Sequence, residues 1–185
     1  MLKKSILIVA IAATIVSCQK DEDDPYLITA NQVGALKKDV TINQLEAIFE
    51  DDSIVKQTSG PETLKSTDAI KVFDKEGKAL LSLEPLQEFD STSTIGYIQI
   101  LDPRYKTKSG LNTESTFQDI QENFTISRIE NTINAAVIFL DEINAYVTID
   151  KKQLPADLRY DTDSKIMASQ IPDNAKIKYF MIYWN

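Results

Sequence analysis

The feature that most constrains the fold is an internal repeat with a spacing of 75 residues. Displacing the chain by that distance brings Leu36, Thr41, Ile42, Leu45 and Phe49 onto Leu111, Thr116, Phe117, Ile120 and Phe124. A repeat of this length is one supersecondary unit that cannot bury its apolar face alone. Because a half of this size would be marginal by itself, the two copies are predicted to share one core.

Each copy is predicted to contain one short amphipathic helix. Thr41 and Thr116 stand where an N-cap residue is expected, and Gln44 and Asp119 three residues later complete a capping box. The apolar residues that follow each threonine lie on one helical stripe. Such a stripe is buried only when the helix packs on another apolar layer.

Extended segments follow both helices. They are residues 53–57, 70–74 and 79–83 in the first copy and residues 125–130, 136–140 and 145–149 in the second. Gly77 and Asn144 are placed to turn the hairpins. The pattern predicts an α+β fold with two tandem repeats, about 26–86 and 95–152, each with one helix packed on an antiparallel meander of three strands.

Residues 153–185 form a C-terminal extension outside the repeat, within a single domain of residues 26–185. Residues 177–184 alternate Ile177, Tyr179, Met181 and Tyr183 with Phe180, Ile182 and Trp184. Both faces are apolar, which predicts a strand covered on both faces or a C-terminal edge strand capped by the other half.

The absence of histidine and the presence of one cysteine exclude many sites. Triads or pairs that use histidine, histidine-ligated zinc and an internal disulfide are ruled out. Any catalysis would use carboxylates, lysine, tyrosine or serine, and any metal site would be all-oxygen. No catalytic residue, metal site or cofactor is predicted. The net charge of −8 also disfavours nucleic acid, whose phosphates would be repelled.

The N-terminus is typical of an export signal. Lys3 and Lys4 precede an apolar run that is too short to span a membrane, and a small-residue cleavage site ends at Cys18. Residues 1–17 are therefore predicted to be removed, which leaves 18 bases and 28 acids, a net charge of −10. The pattern resembles the lipobox of bacterial lipoproteins, which implies a lipid on Cys18 and a membrane as partner.

Residues 18–25 are predicted to be an acidic tether. One lysine and four acids precede Pro25, a composition typical of solvated chain. The seven residues that follow Cys18, residues 19–25, span at most about 23 Å. The acids after Cys18 resemble the export signal of Bacteroidetes-type surface lipoproteins, which implies attachment to the outer membrane with the folded part facing the cell surface.

The start of each copy also carries a resemblance. Residues 34–45 and 107–120 resemble proteins grouped with the β-lactamase-inhibitor-like and small outer-membrane-assembly lipoprotein folds. Members of these groups mostly bind proteins. The resemblance therefore implies a binding role and does not identify the partner. For this chain a protein or glycan partner is expected.

One candidate binding surface is basic. Arg104, Tyr105, Lys106 and Lys108 precede the second helix, and Lys37 and Lys38 precede the first. If both loops project from the same end of the sheet, they form a positive patch beside helix N–H groups that favour anions. The alternative is that these are ordinary solvated loop residues.

Other polar motifs are weaker. Asp161 and Asp163 resemble the start of a calcium loop, but Lys165 and Pro172 stand where oxygen ligands are needed, so a surface turn is predicted. The acids at 50–52 are interpreted as a solvated helix end. Ser53 and Ser91 lie in triplets that resemble the O-glycosylation acceptor of exported Bacteroidetes proteins.

The sequence thus favours a lipid-anchored, non-enzymatic binding or assembly module. The alternatives are a carboxylate-dependent hydrolase acting on surface glycans and an inhibitor of a secreted hydrolase. A deep pocket with two converging acids would favour the hydrolase, and an exposed aromatic patch on a sheet would favour binding.

Overall fold

The computed structural model describes residues 24–56 and 69–184. The predicted export signal, Cys18 and residues 19–23 of the predicted tether lie outside these described residues. No helix in the two described stretches has the length and apolar character needed to cross a membrane.

Twelve short strands and three short α-helices make up the described chain. In order they are β1 (Leu27–Thr29), β2 (Gln32–Val33), β3 (Leu36–Lys37), α1 (Leu45–Ile48), β4 (Ser53–Lys56), β5 (Ile70–Phe73), β6 (Ala79–Pro85), β7 (Ile95–Ile100), β8 (Lys106–Thr107), α2 (Phe117–Asn123), β9 (Arg128–Asn131), β10 (Ala135–Leu140), β11 (Ala145–Asp150), α3 (Ala156–Arg159) and β12 (Tyr179–Tyr183). A 3₁₀ turn, Ile42–Gln44, leads directly into α1.

Eight of the strands form one antiparallel sheet in the order β4-β5-β6-β7-β12-β11-β10-β9. Each half of the sheet is a meander, and the two meanders meet where β7 pairs with β12. A second, small sheet has the order β3-β2-β1-β8, in which β1 and β8 are parallel. The fold is therefore mixed, with mostly antiparallel strands and few short helices, as the sequence pattern predicts at that level.

The meanders differ from the prediction in their length. Each contains four strands rather than three, because β7 completes the first meander and β12 completes the second. The boundaries predicted near residues 95 and 153 separate these strands from the meanders to which they belong. Long connections precede both strands, residues 86–94 before β7 and residues 151–178 before β12. A hairpin pattern in the sequence predicts pairing only across short turns, so it does not predict the pairing of these two strands.

The helices begin as the threonines predict. The backbone N–H of Thr41 donates to Gln44 Oε1 at 3.0 Å, and that of Thr116 donates to Asp119 Oδ2 at 2.7 Å. The apolar stripes of both copies are buried at Leu36, Ile42, Leu45, Phe49, Leu111, Phe117 and Ile120. Phe124 is partly buried against the same core. The stripe positions read from the sequence therefore form the helix side of the core.

The prediction for the C-terminal strand is only half correct. Phe180 and Ile182 are fully buried on one face, but β12 is a central strand and its other face is open. Tyr179 on that open face is 45% exposed. The predicted cover over both faces is therefore wrong, since the described helices pack on one face only.

Candidate functional site

The structure does not bring the predicted basic residues into one patch. Lys37 lies on β3 and Lys106 on β8, at opposite edges of the small sheet, which places their backbones about 14 Å apart. Lys38 follows β3 and Lys108 follows β8. Tyr105 is 3% exposed and belongs to the core. The two basic loops are separate.

Arg104 is already compensated by acids. Its guanidinium bonds Asp74 at 2.6 Å and Asp102 at 3.0 Å, and it lies 5.1 Å from the centre of the Tyr26 ring. Asp102 is fully buried and also accepts a hydrogen bond from Lys78 at 2.8 Å. Burial alone would raise the pKa of Asp102, but hydrogen bonds from Arg104 and Lys78 lower it to about 2. This network joins the two sheets. Because Asp74 and Asp102 neutralise the guanidinium, Arg104 is not available to bind an anion.

The helix N-termini are also closed to anions. Their first N–H groups donate to loop carbonyls, in the pairs Ile42 to Ser93, Asn43 to Ser91, Phe117 to Ala175 and Gln118 to Asp173. The equivalent pairs bind each helix start to the loop before the last strand of its meander. The prediction that these N–H groups attract an anion is wrong, because the groups already donate to acceptors within the fold.

The acidic motifs have structural partners. Asp51 pairs with Lys75 at 2.8 Å, and the Asp161 carboxylate accepts the backbone N–H groups of Asp163 and Ser164, which confirms the predicted turn. Within residues 24–56 and 69–184, no group of three or more acids or cysteine is arranged to hold a metal ion.

The two serines in glycosylation triplets are both exposed. Ser53 begins β4 at an edge of the large sheet, and Ser91 lies in the loop of residues 86–94. Their modification remains a prediction.

The open face of the large sheet carries a different candidate site. Cross-strand pairing aligns one row over all eight strands: Arg128, Phe139, Tyr146, Met181, Gln99, Ser82, Lys71 and Val55. The half of the row on the second meander holds both aromatic residues of the row, Phe139 and Tyr146, and we call it the aromatic half. The half on the first meander, which we call the polar half, holds three polar residues and Val55, which is 47% exposed. Tyr179 and Tyr183 on β12 extend the aromatic half along the second meander, and Tyr97 on the neighbouring strand β7 of the first meander lies opposite Tyr183.

We call Tyr97, Phe139, Tyr146, Tyr179 and Tyr183 the aromatic face. Phe139 packs against Tyr146 with ring centres 5.5 Å apart, and Tyr146 stacks on Tyr183 at 6.3 Å. The guanidinium of Arg128 lies 3.4 Å from the centre of the Phe139 ring. Three of the five rings therefore contact one another in sequence across β10, β11 and β12.

The aromatic face borders a shallow depression of about 390 Å³, whose lining includes Tyr97, Arg128 and Asp141. The Tyr183 hydroxyl donates to Asp141 at 3.2 Å. Burial raises the pKa of Tyr183, and the contact with Asp141 raises it further. Burial also raises the pKa of Tyr146. These hydroxyls remain protonated hydrogen-bond donors at neutral pH.

Sequence reasoning missed this site although its signal was visible. The alternation of Tyr179, Met181 and Tyr183 predicts a buried face, because tyrosine fits a core as well as a surface. Tyr97, Phe139 and Tyr146 lie far away in the sequence. Only the pairing of β7, β12, β11 and β10 brings the five rings together.

Comparisons with known proteins bear on the fold. No family model matches the chain, and no curated protein matches its sequence. Among solved structures, the chain is similar to the uncharacterised protein YfeY of Escherichia coli, with a TM-score of 0.52 and 12% identity. The match covers 85% of this chain and 99% of that one. A likeness at this identity concerns architecture alone, and the chain has a YfeY-like fold.

Proposed function

We propose that this chain is a lipid-anchored cell-envelope protein that binds a partner protein through the aromatic face. The observation that carries the proposal is the asymmetry of the open sheet face. Both meanders bury the same kind of apolar residues on the helix side. On the open side, Phe139 and Tyr146 of the second meander lie in the same row as Lys71 and Ser82 of the first.

A sheet face that contacts only water is expected to carry polar side chains and not a cluster of tyrosines. Tyrosine is enriched at protein interfaces because its ring buries a large apolar area while its hydroxyl keeps a hydrogen bond. Tyr97 is 40% and Tyr179 is 45% exposed, so both have apolar area left to bury. The aromatic face therefore fits the centre of an interface.

The stacking favours a protein over a glycan. Sugar rings pack on the flat faces of aromatic side chains, and here Arg128 and Tyr146 lie against Phe139 while Tyr183 lies against Tyr146. The exposed parts of Tyr97 and Tyr179 and the tyrosine hydroxyls suit the side chains and carbonyl groups of a protein.

The anchor and the repeat are the other parts of the proposal. Residues 1–17 would be removed, and a lipid on Cys18 would attach the body to the outer membrane, facing the cell surface. We infer that the body arose as two tandem repeats, each with a capped helix and a four-stranded meander. The equivalent contacts from both helix starts to both loops before β7 and β12 support this inference.

Photo-crosslinking tests the binding surface. A crosslinking amino acid at Tyr97 or Tyr179 in cells is expected to give a discrete protein adduct, because both side chains would lie inside the interface. The same amino acid at Ser82 or Lys71, on the polar half of the row, serves as the matched control and is expected to give little adduct. Electrophoresis and mass spectrometry of the adducts provide the measurement.

A second variant shows whether the adduct reflects binding. Replacing Tyr97 and Tyr179 by serine should abolish an adduct formed from Tyr146 while leaving the unfolding midpoint nearly unchanged, since both tyrosines are exposed. Equal adducts from the aromatic and polar halves would contradict the proposal.

The Cys18→Ala variant tests the anchor. It is expected to move from the membrane fraction to the soluble fraction, because the thiol that would carry the lipid is absent. Fractionation followed by mass spectrometry of the N-terminal peptide measures both properties. Wild-type protein with an intact N-terminus at Met1 would exclude the anchor.

The alternative of a carboxylate-dependent hydrolase has one observation in its favour. A crevice of about 210 Å³ beside α1 is lined by residues that include Tyr26, Asp52 and Tyr105. Burial raises the pKa of Asp52, and the charges of Asp51 and Asp74 raise it further, as a general acid requires. Cleavage of envelope glycans that is lost in Asp52→Asn would favour this alternative, whereas an inhibitor of a secreted hydrolase would be one case of protein binding.

A further inference from the structure

The chain enters the folded body at one end of the large sheet. Tyr26 lies beside Arg104, just beyond the last residue of β7. Three residues after Leu27, the carbonyl of Ala30 accepts a hydrogen bond from the indole N–H of Trp184, at the opposite end of the sheet. We call the end at which Tyr26 lies the tether end. The turn from β9 to β10 and the loop of residues 151–178 also lie at the tether end, because β9 and β11 finish there.

Two large apolar side chains project from these connections. Ile133 in the turn of residues 132–134 is 78% exposed, and Tyr160 is 92% exposed. Exposed residues of this kind suit the boundary between lipid headgroups and acyl chains, where tyrosine is enriched. The loop of residues 86–94 at the opposite end also exposes Leu86 and Phe89, so the position of the tether, and not exposure alone, distinguishes the tether end. Neither side chain contributes to the core.

A buried lysine fixes the two connections to each other. The backbone N–H of Lys151 donates to Asn134 at 3.0 Å, and its ammonium donates to the Asp161 carbonyl at 2.6 Å. Asn131 adds a hydrogen bond to the same carbonyl at 3.0 Å. Ile133 and Tyr160 are therefore presented together from a braced surface.

The charge of this surface differs from that of the whole chain. Residues 151–165 contain the bases Lys151, Lys152, Arg159 and Lys165 and the acids Asp157, Asp161 and Asp163. Because Lys151 is buried, the three remaining bases balance the three acids at this surface, in contrast to the net charge of −8 of the chain. Lys152 and Lys165 are exposed, which suits contact with anionic headgroups.

We propose that the tether end rests on the lipid surface, with Ile133 and Tyr160 entering the headgroup layer. This inference rests on the proposed lipid on Cys18, since a tether of at most about 23 Å keeps the end from which it leaves close to the membrane. The body is then held in one orientation, and the aromatic face stands roughly perpendicular to the membrane, open to a partner.

An environment-sensitive dye tests the contact. The lipidated full chain carries no thiol besides Cys18, which the lipid occupies, so a cysteine introduced as Tyr160→Cys or Ile133→Cys takes the dye alone. In vesicles of phosphatidylethanolamine and phosphatidylglycerol, the dye at either position is expected to brighten several-fold and to be quenched by spin-labelled lipid. The matched control is Gln87→Cys, an exposed position in the loop of residues 86–94 at the opposite end.

The outcomes separate the two proposals. Lipid on Cys18 together with a dye at 133 and 160 that reports water, as at 87, would overturn the surface contact and leave the anchor intact. A free Cys18 thiol in the mass spectrum would overturn both.

Discussion

Replacing Gly34 by alanine is expected to destabilise the protein by about 3 kcal/mol, the sum of a backbone penalty and a steric one. Gly34 has a φ of 57°, in the left-handed region. A Cβ there would lie 2.4 Å from the carbonyl oxygen of Pro25 and 2.8 Å from the ring of Tyr105. Because one neighbour is backbone and the other is a buried ring, neither yields easily. Urea unfolding followed by the fluorescence of Trp184, which is the only tryptophan and is buried, measures the change.

Gly77→Ala is the matched control for this prediction. Gly77 has a φ of 81°, but no atom lies within 4 Å of the position of its Cβ. Only the backbone penalty applies, so the expected loss is about 1 kcal/mol. Equal losses of unfolding free energy in the two variants would contradict the steric penalty expected from Pro25 and Tyr105 at Gly34.

Replacing Asp102 by asparagine is expected to cost about 2 to 3 kcal/mol at neutral pH, because a buried carboxylate with charged donors is lost. Arg104 and Lys78 are partly exposed and regain water, which keeps the loss below that of a fully buried pair. The control is Asp51→Asn, whose partner Lys75 is 65% exposed, with an expected cost below about 0.5 kcal/mol. Urea unfolding of both variants distinguishes the two sites.

The pH dependence of Asp102→Asn gives a second readout. The pKa of Asp102 is about 2 in the folded state, against about 3.9 when unfolded. The folded state thus binds fewer protons, so the stabilisation is complete above about pH 4 and is lost as the pH falls through 2. This stabilisation amounts to about 2.5 kcal/mol. The wild type should lose more stability than the variant between pH 4 and 2, and parallel curves would count against the assignment.

Local features of the fold could be read from the sequence. The capping residues Thr41 and Thr116, the turns at Gly77 and Asn144 and most strands of both meanders depend on neighbours within a few residues. Propensity and periodicity report such interactions directly. The placement of β7 and β12 depends on pairing across long loops, and no local pattern reports that pairing.

The candidate site shows the same division. The basic residues near Arg104 look free in the sequence, yet Asp74 is 30 residues away along the chain and bonds Arg104 directly. The tyrosines of β12 look like core residues, yet only one face of the sheet is covered.

The sequence by itself determined the apolar stripes, the caps, the hairpins and the motif ending at Cys18, because each is written in adjacent residues. Tertiary structure alone decided which charges are neutralised and which aromatic rings meet on an open surface. Both outcomes depend on strands that are distant in sequence and adjacent in space.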